Sequence, residues 1–159
     1  MVKIDYSLSS IWKLEKSKVD LATSSLNVLT FNAFTGSLIF KVNDADFSAQ
    51  WNWIPILGFA REFFFTVESM SKKNLSIFEF TENDAEIILE RNKAMIQISA
   101  SYVEAKALVE YVELRTSALN FYKKVSNDFL ERYPELSKNG HFSKLLSEVK
   151  NGKVQESFE

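Results

Sequence analysis

Apolar residues recur along this chain with two different periods, and the changes of period mark its elements. In "GSLIFKVN", Leu38, Phe40 and Val42 alternate with Ser37, Ile39 and Lys41, the period of a half-buried strand. "SLNVLTFN" before it reads as a partner strand, with Gly36 in the turn between them. The period then lengthens. Ile56, Phe59, Ala60, Phe63, Val67 and Met70 fall on one face of a helix, and Pro55 suits that helix's first turn, where a missing N–H costs nothing. Three short runs, "NLSIFEF", "AEIILER" and "KAMIQISASY", return to the strand period and predict an antiparallel meander. The connection Thr81–Asp84 and a two-residue turn at Asn92-Lys93 set a register in which Phe78 faces Ile87, Phe80 faces Ala85, Leu89 faces Ile96 and Ile87 faces Ile98.

From about Tyr102 to Tyr133, Leu108, Tyr111, Val112, Ala118, Leu119, Tyr122, Val125 and Phe129 follow a helical spacing that Pro134 closes. Unbroken, such a helix spans roughly 45 Å, and Thr116-Ser117 is the place where a break would fall. A turn at Asn139-Gly140 leads to a short amphipathic helix carrying Phe142, Leu145, Leu146 and Val149, and the tail 150–159 is expected to fray. The predicted fold class is α+β: an antiparallel β-sheet meander with helices packed mainly on one face and a long C-terminal helix, in one domain over residues 1–159.

The stretch "FSAQWNWIPILGFAREFFF", Phe47 to Phe65, holds two tryptophans and five phenylalanines. A spanning helix needs about 20 mostly apolar residues, and Asn52, Pro55, Arg61 and Glu62 interrupt this one, so a membrane segment is not expected. Phe65 is left over from the buried face. It points opposite Phe63, on the side of Arg61, Glu62 and Ser69, towards a covering helix or a partner.

Net charge is −2, but its distribution is uneven. Residues 44–104 carry five basic and ten acidic groups, whereas 105–159 carry nine basic and eight acidic. That is a poor footprint for nucleic acid, which needs a basic stripe. Cysteine is absent and His141 is the one histidine, so thiolate chemistry and an ordinary zinc site are excluded, and no metal or cofactor is expected. The opening "MVKIDYSLSSIWKLEKSK" has no uninterrupted apolar h-region, so no signal peptide is expected and the reading is cytoplasmic.

The predicted register sets Glu79 directly opposite Glu86 on the face away from the apolar pairs, with Glu82 and Asp84 in the turn and Glu90 further along. Like charges across a ladder cost up to roughly 1 kcal/mol, so either water and the flanking Arg91 or Lys93 relieve the pair or the surface is one that meets cations. A catalytic carboxylate pair would need one raised pKa, which an open sheet face does not supply, and no phosphate-binding or nucleophile-elbow motif occurs. The expectation is that the chain is not an enzyme. Trp51 and Trp53, with Asp44 and Asp46 just ahead of them, are residues that either seal a helix end against a sheet, the default reading, or anchor a protein partner.

Taken together, "GSLIFKVNDADFSAQWNWIPILGFAREFFF", "FEFTENDAEIILERN" and "FLERYPELSKNGHFSKL" resemble, in layout, small bacterial immunity proteins of polymorphic-toxin and contact-dependent growth inhibition systems. The resemblance implies a cytoplasmic, non-catalytic protein that binds the C-terminal domain of a cognate toxin and blocks it. Read with the charges, the partner-binding residues would be Glu79, Glu82, Asp84, Glu86 and Glu90, with Trp51, Trp53 or Phe65 as anchors. The alternative is a small scaffold that forms a homodimer or larger homo-oligomer through exposed aromatic surface.

Overall fold

The computed structural model describes residues 1–152, apart from the side chains of residues 14–16. It is an α+β protein built on two four-stranded antiparallel sheets with a long C-terminal helix. The first sheet has β2 (Thr35–Val42) at its centre, flanked by β1 (Val2–Leu8) on one side and by the short β3 (Ala45–Asp46) and β4 (Ala49–Pro55) on the other. The second is a meander of β5 (Leu75–Glu79), β6 (Glu86–Asn92), β7 (Met95–Ala100) and β8 (Val103–Glu110). Short helix α1 (Ser10–Glu15) follows β1, and α2 (Ile56–Ser69) links the two sheets. The chain closes with α3 (Tyr111–Arg132) and α4 (Gly140–Asn151).

The aromatic block is explained by the position of α2. All six residues of the predicted face are buried, and so are Leu57, Gly58 and Phe64 on other sides. A helix apolar nearly all round belongs in a core, and α2 has neighbours on every side. Phe63 meets Phe40 of β2, Phe59 meets Phe78 of β5, and Phe64 meets Tyr122 of α3. Gly58 is required by contact. A Cβ there would lie 1.8 Å from the carbonyl oxygen of Thr30. The ring that α3 covers is therefore Phe64. Phe65 is half-buried, and the Arg61 guanidinium lies 4.4 Å over it.

Five sequence expectations are corrected. Residues 25–32 are not a strand but a helical turn ending in a π-type turn, Val28–Asn32. Ser25 accepts the Val28 N–H through its Oγ, and Leu29 and Thr30 are buried, a helical rather than alternating spacing. Gly36 accordingly lies within β2 rather than in a turn, where β1 crosses so closely that a Cβ would sit 1.9 Å from the Ser7 carbonyl oxygen. Pro55 ends β4 and stands just before the first turn of α2 rather than in it.

The β6–β7 turn is centred one residue later than expected. Asn92 pairs with Met95, Lys93 takes the positive φ of 58°, and Leu89 therefore faces Ile98 rather than Ile96, and Ile87 faces Ala100 rather than Ile98. The slip is two residues on β7, so every side chain keeps its face. The long helix begins at Tyr111, not Tyr102. Residues 103–110 form β8, with Val103, Ala105, Ala107 and Val109 inward, and α3 runs unbroken past Thr116-Ser117. The β5–β6 register is as predicted, including Phe78 opposite Ile87 and Glu79 opposite Glu86.

At the C-terminal end, α4 is fixed by Asn139. Its Oδ1 accepts from the N–H groups of His141 and Phe142, and its Nδ2 donates to the carbonyls of Leu21 (2.8 Å) and Ser24 (2.9 Å). Of the tail expected to fray, residues 150 and 151 are helical and Gly152 caps α4; residues 153–159 lie outside the described residues. Among the described residues no helix is long and apolar enough to cross a membrane.

Candidate functional site

The acidic hairpin and the tryptophan pair meet at one end of the second sheet. In β4 the ladder to β2 skips from the Gly36–Ile54 pair to the Leu38–Ala49 pair, leaving Trp51, Asn52 and Trp53 in an irregular bulge. Asn52 adopts the left-handed conformation (φ 65°), which asparagine tolerates better than most residues. Ser37 holds it there, donating from Oγ to Asn52 Oδ1 (3.0 Å) while accepting the Asn52 N–H (3.1 Å). With the strand bent in this way, the two indoles stack on each other, centroids 5.1 Å apart and planes at 15°.

Trp51 then packs edge-on against Phe80 and Tyr102, each at 5.1 Å. Phe80 closes the β5–β6 ladder by donating its N–H to the Ala85 carbonyl, so the tryptophans are anchored directly beside the loop that carries Glu82 and Asp84. Tyr102, in the β7–β8 turn, donates its hydroxyl to the Phe47 carbonyl at 2.6 Å and so ties the two sheets together. Burial raises its phenol pKa, and the charge of Asp46 adds to the shift. Asp46 itself stays ionised below the usual carboxylate range because the side chain and backbone of Ser48 donate to it. A continuous line of rings runs from the core to this surface: Phe63, Phe59, Phe80, Trp51, Trp53.

The carboxylates lie on and around the same hairpin. Glu79 and Glu86 are directly opposed. The Phe80–Ala85 and Arg91–Asn74 bonds fix which pairs of this ladder are hydrogen-bonded, and Glu79–Glu86 falls between them as a non-bonded pair, the closer of the two geometries. Glu82 and Asp84 are exposed in the loop, where Asn83 Oδ1 accepts the Ala85 N–H and tightens the turn. Glu90 stands on the same outward face as Glu86, about 13 Å along the strand.

From Glu79 to Glu90 there are five acidic residues and no basic one. Among the described residues none of the five has an ion-pair partner. Arg91, next in sequence, is engaged elsewhere. It donates to the carbonyls of Met70 and Lys93 and lies over the Tyr111 ring. Phe65 is not part of this assembly. Its neighbour Arg61 turns to Glu148 of α4 (3.1 Å), which also accepts from the Tyr122 hydroxyl (2.9 Å). This buried triad joins three helices and was not foreseen, since its members lie 26 to 87 residues apart in sequence.

Among the described residues no group of three or more His, Asp or Glu side chains is placed to hold a metal ion. What the site can do is present unneutralised negative charge beside a flat, half-buried aromatic surface. No protein-family model matches this chain, and no similar curated protein or solved structure was found.

Proposed function

We propose that this chain is a non-catalytic, cytoplasmic immunity protein that neutralises a cognate toxin domain by covering a basic site on it with the acidic hairpin end of the second sheet. The observation that carries the reading is the set of five unpaired carboxylates from Glu79 to Glu90, two of them opposed across the ladder, next to the stacked Trp51–Trp53 pair. A like-charge pair is a standing cost in the free protein, and it is relieved when cations dock on it. The indoles supply the amphipathic contact area that protein interfaces favour. Many delivered toxins act on nucleic acid, and a phosphate-holding site is the basic, concave surface that such a face complements. That the partner is a toxin rests on the resemblance in layout; that it is a protein rests on the aromatic and acidic surface.

The test is capture from native cells with this chain as bait, eluted in rising salt, for wild type and for a Glu79→Lys/Glu86→Lys variant. The expected result is a basic toxin C-terminal domain, encoded beside this gene, that is released at high salt, missed by the variant and inactivated by the purified wild-type protein. Binding that survives the double reversal removes the acidic hairpin from the reading. A captured domain that stays active removes immunity. Recovery of the bait alone, as a dimer, would turn the reading to a homo-oligomeric scaffold.

A further inference from the structure

Beside the acidic hairpin, the second sheet has a free edge. Among the described residues β5 pairs with β6 on one side and with no strand on the other. Hydrogen-bonded pairs of this ladder fall on Ser76, Phe78 and Phe80, as the Phe80–Ala85 and Arg91–Asn74 bonds fix. Alternation therefore turns the N–H and C=O groups of Ile77 and Glu79 away from β6.

Natural edges are usually blunted by lysine, proline, a bulge or a covering element. The far edge of the sheet shows such devices: β8 carries Lys106, has an irregular register at Ser99–Ala100, and receives a hydrogen bond from Asn43 to the Leu108 carbonyl. β5, "LSIFE", has no lysine, no proline and an unbroken register. Its start is tied to α2, where Ser69 meets Ser76 through their hydroxyls (3.1 Å).

Past that contact the free edge opens into a groove of about 360 Å³ between β5 and α2. Its lining is apolar where a strand would press, with Pro55, Phe31 (38% exposed) and Ile77 (43% exposed). Its charged residues are both acidic: Glu62 on the α2 side and Glu79 on the β5 side, with no lysine or arginine among the lining residues. Burial lifts the Glu62 carboxyl above its ordinary value in spite of Arg61 beside it, so its charge is incompletely compensated.

We infer that this groove is a strand-addition site, and that its occupant is an extended segment of a partner protein, apolar with one or more lysines or arginines, hydrogen-bonded to the free backbone groups of Ile77 and Glu79. Five residues, Ile77 to Thr81, border the groove, about 17 Å of strand, which suits one peptide segment. A second copy of this chain is the poorer occupant, because pairing two β5 edges would bring Glu62 and Glu79 of one copy towards those of the other.

The probe is a capped seven-residue peptide alternating valine and lysine, titrated into the full-length protein and followed by amide NMR. Binding slows hydrogen exchange at Ile77 and Glu79 and leaves Ser76 and Phe78, already bonded to β6, unchanged. Glu62→Gln weakens the affinity about two- to fivefold, the worth of one partly exposed charge pair. Ile77→Pro removes an edge N–H that the sheet does not use, so the fold stays and binding is lost. N-methylation of the peptide makes the same cut from the other side should that variant not fold.

Absence of saturable shifts overturns the inference, as does equal binding of a valine–glutamate peptide. Exchange at Ile77 and Glu79 that slows with protein concentration alone also overturns it, by giving the edge to a second copy. The probe is a bare peptide, so its failure leaves the toxin reading standing, and failure of that reading leaves the groove standing.

Discussion

Replacing Glu79 by lysine converts the one like-charge pair in the β5–β6 ladder into an opposite-charge pair while touching nothing buried. For carboxylates about 6 Å apart in water, Coulomb's law gives roughly 0.7 kcal/mol of repulsion. That agrees with the upper end of measured cross-strand effects. Reversal removes the repulsion and substitutes an attraction of similar size, so Glu79→Lys is expected to be about 1 kcal/mol more stable than wild type at low ionic strength. Adding Glu86→Lys restores a like-charge pair, now positive, and should return stability close to the starting value. Urea denaturation at low and at about 1 M salt measures both, since the screening length falls to about 3 Å at the higher concentration and most of the gain should vanish. A single variant no more stable than wild type, or a gain indifferent to salt, would refute the claim that the free protein carries an electrostatic cost at this hairpin. The same substitution should weaken the partner, which separates a surface kept for binding from one that is merely solvated.

Asn139→Ala removes an N-cap worth about 1 kcal/mol and leaves the Leu21 and Ser24 carbonyls without their donor, for a total loss of about 2–4 kcal/mol in denaturation. Asn139→Asp keeps the cap but sets a carboxylate against the same two carbonyls, so it should rescue nothing; wild-type stability in that variant would refute the bridging role. At alkaline pH, burial raises the phenols of Tyr122 and Tyr102, assisted by the charges of Glu148 and Asp46. A raised acid pKa means that the folded state holds its proton longer. Stability is therefore full below the ordinary tyrosine value near 10 and falls above it, by up to about 3 kcal/mol per pH unit for two protons. Tyrosinate absorbance from these residues should appear together with loss of far-ultraviolet dichroism. Ionisation of Tyr102 and Tyr122 near pH 10 with the fold intact would contradict the burial argument.

What could be read from the chain follows from which interactions are local. The face of α2, the β5–β6 hairpin with its Glu79–Glu86 pair, and the amphipathic α4 all depend on spacing over a few residues, and all three stand in the structure. β8 was misread because "VEAKALVE" is written in good helix formers, although Val103, Ala105, Ala107 and Val109 alternate strictly; propensity masked period. The β6–β7 slip arose from placing the turn on asparagine when Lys93 takes the left-handed position, and a two-residue slip leaves no trace in the hydrophobic pattern. β1 and β4 were invisible as neighbours of β2, because pairing across 11 to 40 residues has no sequence period at all. The acidic half of the candidate site was legible for the same reason as its hairpin. Its aromatic half was legible only as composition: that Trp51 and Trp53 stack on one another beside Phe80 depends on the Ser37–Asn52 bridge and a bulge that no alternation rule foretells.

The stacked indoles also give the protein a built-in optical reporter. Trp12, the third tryptophan, is buried and donates to the Tyr133 hydroxyl, so its emission reports on the integrity of the core. The Trp51–Trp53 pair, at 5.1 Å and nearly parallel, couples its electronic transitions and contributes a paired dichroic band that a lone indole lacks. Loss of that band with Trp12 emission unchanged would mean that the bulge had been pulled apart while the fold held. A partner that seats on the pair without separating it would shift its emission and leave the band in place. Ordinary cuvette spectroscopy, without any label, can therefore tell docking from unfolding at this end of the molecule.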